Sequence, residues 1–420
     1  MYRNEILRGI DFLISVQNSD GGIPGMAMTG TSACWTTAEA LETVLLSPYL
    51  HMTYHPFVFK MVNFLLGTQI KDGNNKGAWP EYISTNNAQT ITTGHAMAAL
   101  RLSKDIVVDD VAFVQNIQNA IDLGFQYLNR VQNTDGGWSI EPDDGNNESR
   151  AFSTIFVLRG YIRNGFYCNN TRSVRNACNY LKTLRDNKTG GFSKNQGESP
   201  DTCYTARIVS VLLQTKACNK KDKLVTSAIK YIFQDRTLKA LFRIKHESYV
   251  SDNSSGMVIF HSNTPIDVME ALCLCDIYDR RVKRLGKWIL HTQEDNGGWY
   301  LGGSRDPNIN EGVITWTTNE AVYALSCCNK AFSERYVDKL QKRASFFAKG
   351  TLVFIAIIIG LILYPLNLSD NNTLIVWWSK IPEGIRNFLC VTVLGGTILN
   401  TFYNIIYDGF KKFFKGGDAD

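Results

Sequence analysis

Along this chain, apolar positions fall at helical spacing in short segments that each break at the same polar phrase. Phe12-Leu13-Ile14-Ser15-Val16-Gln17-Asn18-Ser19-Asp20-Gly21-Gly22 returns as Tyr127-Leu128-Asn129-Arg130-Val131-Gln132-Asn133-Thr134-Asp135-Gly136-Gly137-Trp138. Trp288 to Trp299 carries it again with the acid moved, Tyr180 to Phe192 more loosely, and Phe64 to Gln69 followed by Gly77-Ala78-Trp79 with an insertion. Self-similarity at a regular interval is the mark of a repeat architecture. Anchored on the last glycine, at positions 22, 77, 137, 191 and 298, the steps are 55, 60, 54 and 107 residues. The last step is double, so a degenerate copy is expected near residue 245; Tyr231-Ile232-Phe233-Gln234-Asp235 keeps a helix end and its Gln there. The pattern predicts six units.

Within each unit the first helix ends at the polar phrase, and the glycines permit a backbone turn that a side chain would forbid. A second apolar run then opens at Trp35-Thr36-Thr37, Ile91-Thr92-Thr93, Phe152-Ser153-Thr154, Tyr204-Thr205 and Trp316-Thr317-Thr318. Hydroxyls at that point suit an N-cap. The runs that follow, such as Ala96-Met97-Ala98-Ala99-Leu100, are too apolar and too rich in small residues for a solvated helix. They are expected on the inside of a ring, making the protein all-α: six helical hairpins over residues 1–335.

Beyond a basic linker at 336–349 the pattern changes. Residues 350–366 carry no charge, which is the lower limit of length for a transmembrane helix, and residues 388–407 form a second uncharged stretch. A hairpin of two transmembrane helices is expected, joined by a loop at 367–387 and followed by a tail at 408–420. Lys339, Lys342, Arg343 and Lys349 precede it and Lys411, Lys412 and Lys415 follow it. In the loop, Lys380 and Arg386 balance Asp370 and Glu383, so the positive-inside rule puts the N-terminal ring in the cytoplasm of a membrane-anchored, two-span protein.

Composition narrows the partners. A net charge of +5 over 420 residues, with bases and acids interspersed, leaves no footprint for nucleic acid. The ten cysteines form no pair of C-x-x-C units, so reduced thiols are expected.

A run of Gln-x-x-Asp-Gly-Gly-Trp segments about 55 residues apart resembles the repeat of squalene-hopene cyclases and protein prenyltransferase β-subunits. The resemblance implies an (α/α)6 toroid, with six inner helices around a central cavity that in family members takes polyprenyl chains. Class II cyclases carry an Asp-x-Asp-Asp-Thr-Ala acid motif; the nearest segment here is Asp201-Thr202-Cys203-Tyr204-Thr205-Ala206, with Cys203 and Tyr204 in place of the acidic pair. Prenyltransferase β-subunits use Asp-x-Cys-Tyr-Ser plus a His from the next repeat to bind zinc. By that resemblance Asp201 and Cys203 become candidate catalytic and metal residues, with His261 as the third ligand, two or three residues early. The competing reading makes Asp201 a helix cap and Cys203 a buried thiol. A prenyltransferase β-subunit also needs a partner subunit, and this chain has a single ring.

Two residues after the recurring Thr, the inner helices carry Glu39, His95, Phe156, Arg207, Asp267 and Glu320. Such a level forms either a polar collar in the cavity or a set of groups that pair with one another. Trp35, Phe152, Tyr204 and Trp316 are candidate cavity aromatics. The expected function is a membrane-tethered toroid that binds an isoprenoid-like lipid or a peptide in its centre without the usual catalytic acid. The alternative is an active isoprenoid-processing enzyme, by zinc-dependent prenyl transfer or by terpenoid cyclisation.

Overall fold

The computed structural model describes residues 2–25, 30–50, 52–84, 87–106, 110–142, 148–234, 246–250, 257–261, 264–299, 315–329, 341–342 and 345. The chain divides into two units, residues 1–332 and 333–420. Outer helices of the first unit are α1 (Arg3–Ser15), α3 (His55–Thr68), α5 (Val111–Arg130), α7 (Arg172–Thr183), α9 (Lys223–Ile232) and α11 (Arg280–His291). Inner helices alternate with them: α2 (Cys34–Leu46), α4 (Thr90–Ser103), α6 (Ala151–Arg163), α8 (Thr202–Gln214), α10 (Thr264–Leu274) and α12 (315–329). The six hairpins expected from the repeat are all present. Outer helices bury one stripe, as Val174, Ala177, Cys178 and Leu181 on α7, whereas α4 is buried on nearly every side. At the crossing of α4 and α6 a Cβ on Gly160 would lie 2.6 Å from the Gly94 carbonyl oxygen, so small residues set this approach.

The repeated phrase holds outer helices together. Gln17, Gln69, Gln132 and Gln293 each donate from Nε2 to the glycine carbonyl of their own turn, and at 2.8–3.0 Å to the backbone of the next outer helix, at Phe57, Ala120, Ser173 and Glu5. The glycine that carries that carbonyl cannot be replaced freely. Gly77 has φ of 95°, and a Cβ there would lie 2.2 Å from the Leu123 carbonyl oxygen. Gly21, Gly136 and Gly297 repeat this geometry against Lys60, Asn176 and Arg8. Gly77 therefore corresponds to the first glycine of the other copies and Ala78 to the second, which moves the sequence anchor of that repeat by one residue. The buried indoles of Trp79, Trp138 and Trp299 donate to the Leu65, Leu128 and Ile289 carbonyls at the ends of their own outer helices.

Gln293 and Gly297 of the sixth repeat pack on Glu5 and Arg8 of the first, and Thr315 Oγ1 donates to the Pro24 carbonyl at 2.7 Å, so the ring closes. The recurring threonines are not N-caps. Ala33, Gln89 and Asp201 hold the cap positions of α2, α4 and α8, and Thr37, Thr93 and Thr205 sit a turn inside. There each hydroxyl donates back to the cap residue's carbonyl and accepts the N–H that follows the glycines, of Ile23, Trp79 and Phe192. The fifth repeat departs most, with an antiparallel hairpin of β1 (His246–Val250) and β2 (Met257–His261) before α10.

No helix among the described residues is long and apolar enough to cross a membrane. The expected spans at 350–366 and 388–407 lie outside the described residues.

Candidate functional site

The two zinc candidates on α8 turn to separate partners. Asp201 is the N-cap, its Oδ1 accepting the Tyr204 N–H at 3.0 Å. Cys203 is buried and its Sγ donates to Asp267 Oδ2 at 3.1 Å. His261 ends β2, and its side chain lies outside the described residues. Among the described residues no three His, Cys, Asp or Glu side chains are placed to hold a metal ion.

The column Glu39, His95, Phe156, Arg207, Asp267 and Glu320 does come together at one level inside the ring, because each stands at an equivalent turn of an inner helix. His95 Nε2 is 3.3 Å from Glu39 Oε1, and Arg207 bridges Asp267 at 2.9 Å and Glu320 at 3.1 Å. The Arg207 guanidinium also lies 5.7 and 5.9 Å from the ring centres of Phe152 and Phe156. The residues are interior and many are paired.

One turn further along the helices is a second charged level that sequence reasoning missed. Arg163 Nε binds Glu42 Oε1 at 2.8 Å, Arg159 lies 3.6 Å from Glu270, and Gln214 donates to Glu270 at 3.0 Å. The signal was available: Glu42, Arg159, Glu270 and Tyr323 follow the collar residues of α2, α6, α10 and α12 at i+3, on the same helix face.

A cavity of about 20 Å³ lies between these levels, lined by residues that include Glu39, Glu42, His95, Asn319, Glu320 and Tyr323. That is room for a water molecule or two. Burial, reinforced by the nearby Glu320 carboxylate, pushes Glu39 well above the ordinary carboxylate range against the pull of Arg159 and Arg207. Burial alone would also raise Glu42, but Arg163, His95 and Arg159 outweigh it and hold its carboxyl at about 2. Burial likewise drives His95 down, so the imidazole is neutral near pH 7. The interior therefore holds a neutral acid beside a neutral imidazole, among the ion pairs of Arg159, Arg163 and Arg207.

The sequence-selected aromatics sit one turn nearer the N-terminal ends of the inner helices. Trp35 and Trp316 meet edge to face at 5.3 Å, and Phe152 meets Phe156 at 4.8 Å. Tyr204 is buried on α8.

Against known proteins, the family profile described as the prenyltransferase alpha-alpha toroid domain matches residues 3–205, 167–233 and 225–352. No curated protein sequence matches the chain. Among solved structures, the cellobiose 2-epimerase of Bacillus thermoamylovorans superposes with a TM-score of 0.59 at 11% identity, covering 78% of this chain and 99% of its own. The cellobiose 2-epimerase of Spirochaeta thermophila gives 0.58 at 12%, over 79% and 96%. An α-1,6-mannanase of a Salegentibacter species gives 0.54 at 12%, over 79% and 100%. At these identities the likeness is one of fold.

Proposed function

Since this chain belongs to the prenyltransferase alpha-alpha toroid family, we propose that it is a membrane-tethered member that has given up the polyprenyl cavity and serves as a binding module for a peptide ligand. The observation that carries this reading is the content of the ring. Among the described residues, the ion pairs of Arg159, Arg163 and Arg207 stand at its centre around a polar pocket of about 20 Å³. Pockets for drug-sized ligands are mostly apolar and run to about 300–1,000 Å³. Driving a lipid chain through this level would strip several buried guanidinium–carboxylate pairs of their partners, at a cost that apolar burial does not offset.

Family membership does not by itself supply a reaction, because function lies in the site. The acid motif of the cyclases is absent, and the alternative of zinc-dependent prenyl transfer rests on Asp201, Cys203 and His261. Tethering by a hairpin at 350–366 and 388–407 belongs to the same proposal and gives the ring access to partners at the membrane surface.

Native mass spectrometry with elemental analysis of the detergent-purified full chain, wild type beside Cys203→Ala, tests the reading. A ring free of stoichiometric zinc and of co-purifying isoprenoid is expected. One zinc per chain that disappears in the variant would establish the enzyme instead.

A further inference from the structure

Two buried side chains around the central cavity keep polar atoms without hydrogen-bond partners: Glu39 Oε2 and both amide atoms of Asn319. Their residues are 6% and 2% exposed. Buried polar groups are nearly always satisfied, so two orphans facing one cavity mark a place that something else completes. We propose that this socket receives a single primary ammonium group, a lysine side chain or the free N-terminus of a peptide, with Glu39 and Asn319 as its acceptors. The proposal deepens the binding-module reading and rests on it.

Charge favours a cation over a neutral or anionic group. Five carboxylates, Glu39, Glu42, Asp267, Glu270 and Glu320, share the interior with three guanidiniums. Arg163 is matched to Glu42, Arg159 to Glu270, and Arg207 to Asp267 and Glu320. Among the described residues the charge contact of Glu39 within 4 Å is His95, and with Glu39 protonated the other four carboxylates exceed the guanidiniums by one negative charge, rising to two once Glu39 ionises. Size favours ammonium over guanidinium, because the cavity admits a body close to a water molecule. Valence agrees as well: an ammonium's three donors can serve both orphan acceptors, a carboxylate oxygen and an amide oxygen.

Binding should be coupled to proton release. Glu39 faces Glu42 on its own helix, His95 on α4, Arg159 on α6, Arg207 on α8, Asp267 and Glu270 on α10, and Glu320 and Tyr323 on α12. Burial and Glu320 keep it protonated in the empty ring. An arriving cation favours the ionised form, while a lysine stays charged up to a pKa of about 10.4. Affinity should therefore rise as pH rises.

The test uses the full chain in detergent and N-acetylated, fluorescently labelled Gly/Ser hexapeptides that differ only in a central Lys, acetyl-lysine, Arg or Glu. Fluorescence anisotropy at pH 6 and pH 8 reads affinity, and thermal unfolding confirms that each variant is folded. The expected result is a preference for Lys over acetyl-lysine of about tenfold or more, tighter at pH 8, and lost in both Glu39→Gln and Asn319→Ala. Equal or better binding of acetyl-lysine, Arg or Glu peptides would overturn the ammonium socket and leave the peptide-binding ring standing. No binding of any peptide would overturn both.

Discussion

Glu42 and Glu39 stand three residues apart on α2, equally buried, and are driven in opposite directions. Arg163 at 2.8 Å holds Glu42 ionised, while Glu39 has no guanidinium at that range and takes up a proton. Removing one partner of a buried pair costs about 3–5 kcal/mol. Arg163→Leu should fall near the lower end, roughly 3 kcal/mol, because the Arg163 side chain is 21% exposed. The pH dependence follows from the sign of the shift. Glu42 is depressed from an unfolded value of 4.5 to about 2, so its contribution is complete above pH 4.5 and is lost as pH falls toward 2. Urea titrations of wild type and variant at pH 7 and pH 3 should show the difference shrinking in acid; a constant difference would mean that Arg163 acts by packing alone. The collar was legible as a column of polar residues on apolar helices. Its matching of charges was not, since Arg207 finds Glu320 across 113 positions of sequence.

At the scale of elements, the repeated phrase is a staple between neighbouring helices and bears no chemistry of its own. Gln132 joins its own turn to α7 through Gly136 and Ser173, and Gln17, Gln69 and Gln293 do the same in their copies. This explains why the fold was readable from spacing: the phrase recurs because these four junctions use the same amide donor and the same positive-φ glycine. What it concealed is equally physical. The threonines looked like caps because a hydroxyl near a helix start usually is one, whereas here they bridge the glycine turn to the helix a turn further in. The hairpin of β1 and β2 replaces glycines in the fifth repeat, and nothing periodic announced it. Two glycines on either side of one turn offer a matched test. Gly77→Ala must place a Cβ against the Leu123 carbonyl at a positive φ, and should cost at least about 2 kcal/mol. Gly67→Ala, with nothing within 4 Å and an ordinary helical position, should be neutral or gain up to about 1 kcal/mol. Denaturant midpoints decide it, and similar losses at both sites would remove the staple explanation.

As a whole the ring closes on itself, with Gln293 and Arg8 joining the sixth repeat to the first through Glu5, Glu294 and Asp295. Closure brings six inner helices to one axis, and what they present there decides what the toroid holds. Among the described residues this chain presents there two levels of ion pairs with a polar pocket of about 20 Å³ between them. The position of a bound isoprenoid is therefore the most direct measurement of the central claim. A photoreactive farnesol analogue, cross-linked to the full chain in membranes and mapped by peptide sequencing, should leave the inner helices unlabelled. Labelling of Phe152, Phe156 or Trp316, suppressed by excess farnesol, would place a lipid in the ring and contradict the account.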